Sequence, residues 1–298
     1  MTNLAPAERP ARLAVGVVGA GRVGAVLGAA LHRAGHRLAG VTAVSRDSRR
    51  RAEALVPDAA VLPPDEVAAT ADLLVIAVPD DVLADLVRGL AASGTLRPGT
   101  MVAHTSGAHG IAVLAPLTDV GALPMALHPV MTFTGTEVDL QRLAGACFGV
   151  TAPDPLRLAA EALVIEMGAE PVWVEESARP LYHAALAVGA NHLVTLVAQS
   201  TDMLRQAGVE EPARMLGPLL GAALDNALRR GDGALTGPVA RGDAGTVRAH
   251  LATLDTPESV AAYVAMSRLT AVRALAAGVL SPERAEALLD VLASGGAT

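Results

Sequence analysis

No lysine occurs anywhere in the 298 residues; all 23 basic side chains are arginine. That excludes a Schiff-base mechanism, a lysine general acid and a phosphate-loop lysine. A proton donor has to be His, Tyr, a carboxylic acid or a hydroxyl acting with water. Cysteine is nearly absent too. With Cys147 alone, neither an intrachain disulfide nor a cysteine metal cluster can form, so no metal is expected and a cytoplasmic location is. Aromatic residues make up 2% of the chain against 52% hydrophobic residues overall, so the core has to be built from Ala, Val and Leu in close helix contacts. The net charge is −7 and no basic stretch is interleaved with aromatics, which argues against nucleic acid as a partner.

Long uncharged runs are scarce. The one of near-spanning length, Ala184 to Met203, ends in Asp202-Met203 and contains Asn191, His192, Gln199 and Ser200. Such groups are costly in a bilayer, so this stretch is expected to be the buried central helix of a domain and no membrane association is expected. Met1 to Arg12, with two prolines and mixed charges, reads as a disordered leader rather than a signal peptide.

Against these absences stands one dense signal. From Leu13 an apolar, β-branched run turns through Gly19-Ala20-Gly21-Arg22-Val23-Gly24 into a small-residue helical pattern, Val23 to Ala34, ended by Gly35. Strand, three spaced glycines and helix make the fingerprint of a dinucleotide-binding βαβ unit. Gly19 allows the tight turn, Gly21 lets backbone approach a pyrophosphate, and Gly24 lets the helix pack on the sheet with its N-terminus toward the phosphates. Cofactor choice is read after the second strand, Leu38 to Val44. An NAD enzyme usually places a carboxylate there for the ribose 2′-hydroxyl. This chain has Ser45 and Arg46, followed by Arg49 to Arg51. A guanidinium fork suits a 2′-phosphate, so NADP(H) is expected.

Further strand signals lie at Leu73 to Val78, Thr100 to Ala103, Ala122 to Leu127 and Ala146 to Val150, with helical stretches between most of them. Alternation of this kind predicts a parallel, doubly wound sheet. Ala77-Val78-Pro79 then falls at the sheet's carboxyl edge, where ligands bind in this architecture. After Val174 only helical patterns follow, and Thr256-Pro257-Glu258 and Ser281-Pro282-Glu283 read as helix starts. The expected fold is α/β, an N-terminal Rossmann domain over 12–175 followed by an all-α C-terminal domain over 176–298.

Chemistry has to come from few residues. His128 and His104 stand at strand ends, the latter in His104-Thr105-Ser106-Gly107. His183, Ala187, Asn191 and Thr195 are spaced four apart on one helical face surrounded by small residues. The turn-rich segment Leu235 to Asp243 offers Thr236 and Arg241, whose guanidinium could hold a substrate carboxylate in a bidentate pair, while Asp243 could equally be a simple helix cap.

Gly19 to Gly24, Ala77 to Asp80, His104 to Gly107, His128-Pro129, Tyr182-His183 with Asn191, and Leu235 to Asp243 together resemble a known group. It comprises Rossmann-like proteins with a C-terminal helical domain of long-uncertain function. They are relatives of pyrroline-5-carboxylate reductase, ketopantoate reductase and the 6-phosphogluconate dehydrogenase superfamily. The resemblance implies an NADP(H) oxidoreductase for a small carboxylated substrate. Ketopantoate reductases and hydroxyacid dehydrogenases carry a lysine one turn before an asparagine on the first helix of the helical domain. If Asn191 is that asparagine, Ala187 stands in the lysine's place, and His183 is the substitute acid. The Ser-Gly-Ser-Gly stretch of pyrroline-5-carboxylate reductases is absent, and His128-Pro129 is similar to a motif of prephenate dehydrogenases, a family that usually prefers NAD.

These readings converge on reduction of a 2-oxo carboxylate by NADPH, with ketopantoate as the specific substrate. His183 or His128 supplies the proton, Asn191 orients the carbonyl, and Ser106, Thr236 and Arg241 bind substrate. The alternatives are a dehydrogenase or imine reductase for another small acid, and a non-catalytic NADP(H)-sensing protein. A homodimer through the helical domain is expected, because a long small-residue helix needs a partner to cover it.

Overall fold

The computed structural model describes residues 12–294. All but the last residue of the expected leader therefore lie outside the described residues. The first half alternates strand and helix: β1 (Ala14–Val18), α1 (Arg22–Arg33), β2 (Arg37–Thr42), α2 (Arg46–Leu55), α3 (Pro64–Thr70), β3 (Leu73–Ile76) and α4 (Asp80–Ser93). Then come β4 (Met101–His104), α5 (Ala115–Thr118), β5 (Leu123–Pro129), α6 (Val138–Arg142), β6 (Cys147–Thr151), α7 (Arg157–Glu166) and β7 (Glu170–Trp173). Helices follow: α8 (Arg179–Gln206), α9 (Pro212–Arg230), α10 (Gly237–Arg241), α11 (Ala244–Thr253), α12 (Pro257–Ala276) and α13 (Pro282–Ser294). They divide into two compact units, one ending at Ala190 and the other beginning at Asn191, within α8.

In the first unit, seven strands form one sheet in the order β2-β1-β3-β4-β5-β6-β7. The β1 sequence AVGVV is buried along its whole length, as a central strand covered on both faces requires. Alternation sorts the side chains. Leu73 and Val75 of β3 join a core with α1 and α7, while Leu74 and Ile76 join another with α3 and α4. Small residues let α1 bury every position from Gly24 to Leu31.

Two features depart from a wholly parallel sheet with the strands foreseen. β6 runs antiparallel to β5, with His128 opposite Gly149. β7 extends the sheet beyond the expected last strand, parallel to β6. Its sequence, EPVW, is too short and too exposed to carry a period-two signal.

The second unit has its own core, made by Ala240, Val247, Val264, Ala271 and Leu288 on α10 to α13, with Leu280 from the link between α12 and α13. Asp243 accepts from the Thr246 amide and Thr256 from the Ser259 amide, so these two of the expected caps form. The expectation of a buried central helix at Ala184 to Met203 fails. The helical stretch Glu176–Gln206 is long and apolar enough to cross a membrane by length and composition; its most apolar 18-residue window has a mean hydropathy of 1.4, yet none of that window is buried. Val188 is 59% and Val194 69% exposed. Apolarity specifies that a surface be covered and is silent about what covers it.

Candidate functional site

The glycine turn is built as its sequence demands. Gly19 has φ +100°, and a Cβ on it would stand 2.5 Å from the Ala77 carbonyl oxygen. A Cβ on Gly24 would stand 2.1 Å from the Gly19 oxygen, so both must lack a side chain for protein-internal reasons. Gly21 differs: its Cβ position is open, with no atom within 4 Å. It precedes α1, whose first turn has no acidic residue and no side-chain cap. Unshared amides beside an open cradle fit a dinucleotide pyrophosphate, which Gly19, Ala20, Gly21, Arg22, Val23 and Gly24 would hold. Ala77 and Val78 are brought against Gly19, and Pro79 precedes α4.

At the end of β2 the Ser45 hydroxyl caps α2 by accepting from the Ser48 amide at 3.0 Å, while Arg46 is exposed on the first turn. Arg49 is turned back onto the Ala43 carbonyl. The sequence did not single out Arg22 and Arg51 as neighbours. A Cβ on Gly135 would lie 2.9 Å from Arg51 and 3.1 Å from Arg22, so the Thr134-Gly135 loop sits on both. Asp139, fully buried, holds that loop by accepting from the amides of Thr134 and Gly135.

The ends of β4 and β5, two and three strands from β1 in the sheet, carry the histidines. His104 is fully buried and uses both nitrogens: Nδ1 accepts from the Ser106 amide at 3.2 Å, and Nε2 donates to the Gly110 carbonyl at 2.8 Å. Burial pushes it down to about 4, with Arg179 acting in the same direction, so it is a neutral structural residue. Ser106 is fixed in the same turn, its hydroxyl accepting from the His109 amide.

His128 is different. It is half-buried, and its Nδ1 lies 2.8 Å from the Tyr182 hydroxyl, with the two rings edge to face. Its Nε2 faces Gly107: a Cβ there would lie 2.9 Å from it and 2.7 Å from Cδ2 of His183. His128 and His183 stand edge to face, with centroids 6.1 Å apart. Burial lowers His128 to about 4, and the charge of Arg179 and the proximity of His183 act the same way. A neutral imidazole of this kind can polarise a carbonyl by donating a hydrogen bond.

Arg179, at the start of α8, escaped the sequence reading. Its guanidinium is buried and donates to the Thr151 hydroxyl and to the carbonyls of Ser106, Ala126 and Gly149. Among the described residues no carboxylate pairs with it within 4.0 Å. Burial accordingly lowers its pKa, and its charge bears on the histidines. Nearby, Glu176 caps the 3-10 turn Ile111–Leu114 by accepting from the amides of Ile111 and Ala112. Only the adjacency of Tyr182 to His183 hinted at this cluster in the sequence. The remaining expected residues belong to the second unit: Asn191 is exposed on α8, Thr236 precedes α10, and Arg241, exposed, ends it.

Two family models cover this architecture. Residues 2–129 match the family model of a Rossmann-like domain, in keeping with the sheet and helices of the first unit. Residues 146–270 match the family model of the Domain of unknown function DUF2520, consistent with the expected Rossmann-like protein that carries a C-terminal helical domain. No curated protein matches the chain. A solved structure provisionally named as an NADP oxidoreductase, from Bacteroides fragilis, is 22% identical, covering 87% of this chain and 98% of that one at a TM-score of 0.72. A protein from Thermotoga maritima is 20% identical, covering 94% and 98% at a TM-score of 0.60. A pyrroline-5-carboxylate reductase from Coxiella burnetii is 17% identical, covering 93% and 99% at a TM-score of 0.54. At such identities the likeness is one of fold.

Proposed function

We propose that this chain is a cytoplasmic NADP(H)-dependent oxidoreductase that reduces the carbonyl of a small 2-oxo carboxylate, with ketopantoate as the specific substrate. One observation carries the reading. A neutral, half-buried His128, backed by Tyr182 and facing His183, stands at the edge of the sheet that carries the open glycine cradle. A bound nicotinamide supplies the hydride equivalent for the carbonyl carbon. Within the chain, His128 and His183 handle the proton that the carbonyl oxygen gains, Asn191 orients the carbonyl, and Ser106, Thr236 and Arg241 engage the substrate. Cofactor binding is assigned to 12–175, substrate binding and dimerisation to 176–298.

The preference for NADP(H) is supported by the absence of a carboxylate at Ser45-Arg46 and by the meeting of Arg51 and Arg22 beside Gly135. A homodimer is supported by the apolar side chains left uncovered on α8 and α9, such as Val194, Leu219 and Leu228. Light scattering coupled to size exclusion should give twice the chain mass, and a monomer at micromolar concentration would remove that part of the proposal.

The main test follows NADPH and NADH oxidation against ketopantoate, other 2-oxo acids, pyrroline-5-carboxylate and prephenate. Ketopantoate with NADPH is expected to turn over fastest. Turnover of another substrate alone replaces the specific substrate, faster oxidation of NADH overturns the cofactor, and tight NADPH binding without any turnover favours a sensor.

A further inference from the structure

Two positions without a side chain clear space around opposite ends of one imidazole. At the Nε2 end, Gly107 leaves room for His128 and His183. At the Nδ1 end, Gly149 does the same for Tyr182: a Cβ there would stand 2.3 Å from the phenol oxygen. The antiparallel pairing of β6 with β5 sets Gly149 directly opposite His128, so strand direction, glycine and tyrosine form one arrangement.

We propose that Tyr182 is a positioning residue for His128: its hydroxyl donates to Nδ1 and so keeps the imidazole proton on Nε2, the nitrogen that faces Gly107 and His183. The proposal rests on His128 being the proton-handling group of the reading above. Its direction comes from the phenol's surroundings. Among the described residues Nδ1 of His128 is the only hydrogen-bond partner of the phenol oxygen, so the hydroxyl proton has no other acceptor there. Burial raises the Tyr182 pKa above the ordinary phenol range, so the hydroxyl keeps its proton at neutral pH. The imidazole has one proton to place, and a donor at Nδ1 assigns it to Nε2. The charged and titratable groups acting on His128 are Arg179 and His183 from α8, Asp80 from α4 and His104 from β4. Arg179 and Asp80 act in opposite directions on its charge and neither fixes its tautomer.

Nitrogen-15 spectra of histidine-labelled protein, with His128 assigned by its loss in His128→Gln, read the tautomer without substrate. In the unmodified chain a single neutral form protonated at Nε2 is expected at pH 7. Tyr182→Phe should give a mixture of both tautomers. With the substrate that the oxidation assay selects, it should also lower kcat about ten-fold, with KM unchanged and the pH profile displaced, as loss of one aligned donor predicts. Gly149→Ala, which displaces the tyrosine while keeping both side chains chemically intact, should give the same mixture; if it does not fold, Tyr182→Phe alone decides. A Nδ1-protonated form in the unmodified chain, or an unchanged tautomer in Tyr182→Phe, overturns the proposal. If no substrate is reduced while the tautomer shifts as expected, the functional reading fails and the positioning role stands.

Discussion

His104 and His128 end neighbouring strands of one sheet, and both are held neutral by burial with Arg179 acting in the same sense, yet their nitrogens are used in opposite ways. His104 closes on itself, giving both nitrogens to the backbone of the turn that follows it. His128 gives one to a tyrosine and turns the other toward a second histidine. The shared depression of basicity therefore does not tell the two histidines apart; the partner of each ring nitrogen does.

Four experiments bear on that contrast. The largest effect is expected from His128→Gln, which should lower kcat/KM on the identified substrate by about 100- to 1,000-fold, the range of general acid–base groups, with little change in Tm. Retention of activity would make His128 a second structural histidine. Acid should then destabilise the fold. For both histidines the folded pKa lies below the unfolded value, so their neutral forms favour folding above pH 6.5. That contribution is lost as pH falls toward 4, on the order of 3 kcal/mol for each. Urea midpoints that stay flat between pH 7 and 4.5 would contradict it. His104→Gln should cost about 2 kcal/mol of unfolding free energy while kcat falls less than His128→Gln makes it fall. Equal catalytic losses in the two variants would erase the contrast. Smallest is Gly107→Ala, which should displace both imidazoles and lower kcat several-fold; unchanged kinetics would mean that the His128–His183 approach is not used.

Local signals carried most of the first unit and the helix starts of the second. The glycine turn, the apolar runs at Leu73 and Met101 and the caps at Asp243 and Thr256 are each decided within a few residues, and each forms as read. What escaped was nonlocal. Nothing near Cys147 to Thr151 encodes strand direction, since a short apolar strand pairs either way and the choice depends on how the chain arrives. Tyr182 meets His128 across 54 positions, and Arg179 joins carbonyls from three separate segments. Histidine and arginine were visible as reactive types, but which arginine would be buried was not. The apolar character of Ala184 to Met203 was plain, while its exposure in the single chain was not.

Scarcity of aromatics has a practical side in Trp173. It is the only tryptophan, it donates to Glu161 at 2.8 Å, and the Arg157 guanidinium lies 3.7 Å from its ring centre. All three belong to the first unit. Emission excited at the red edge therefore reports on that unit alone, free of any indole from the other. Circular dichroism at the helical band weighs the second unit heavily. Overlaid melting curves from the two signals would show directly whether the sheet and the helices unfold as one body or in turn.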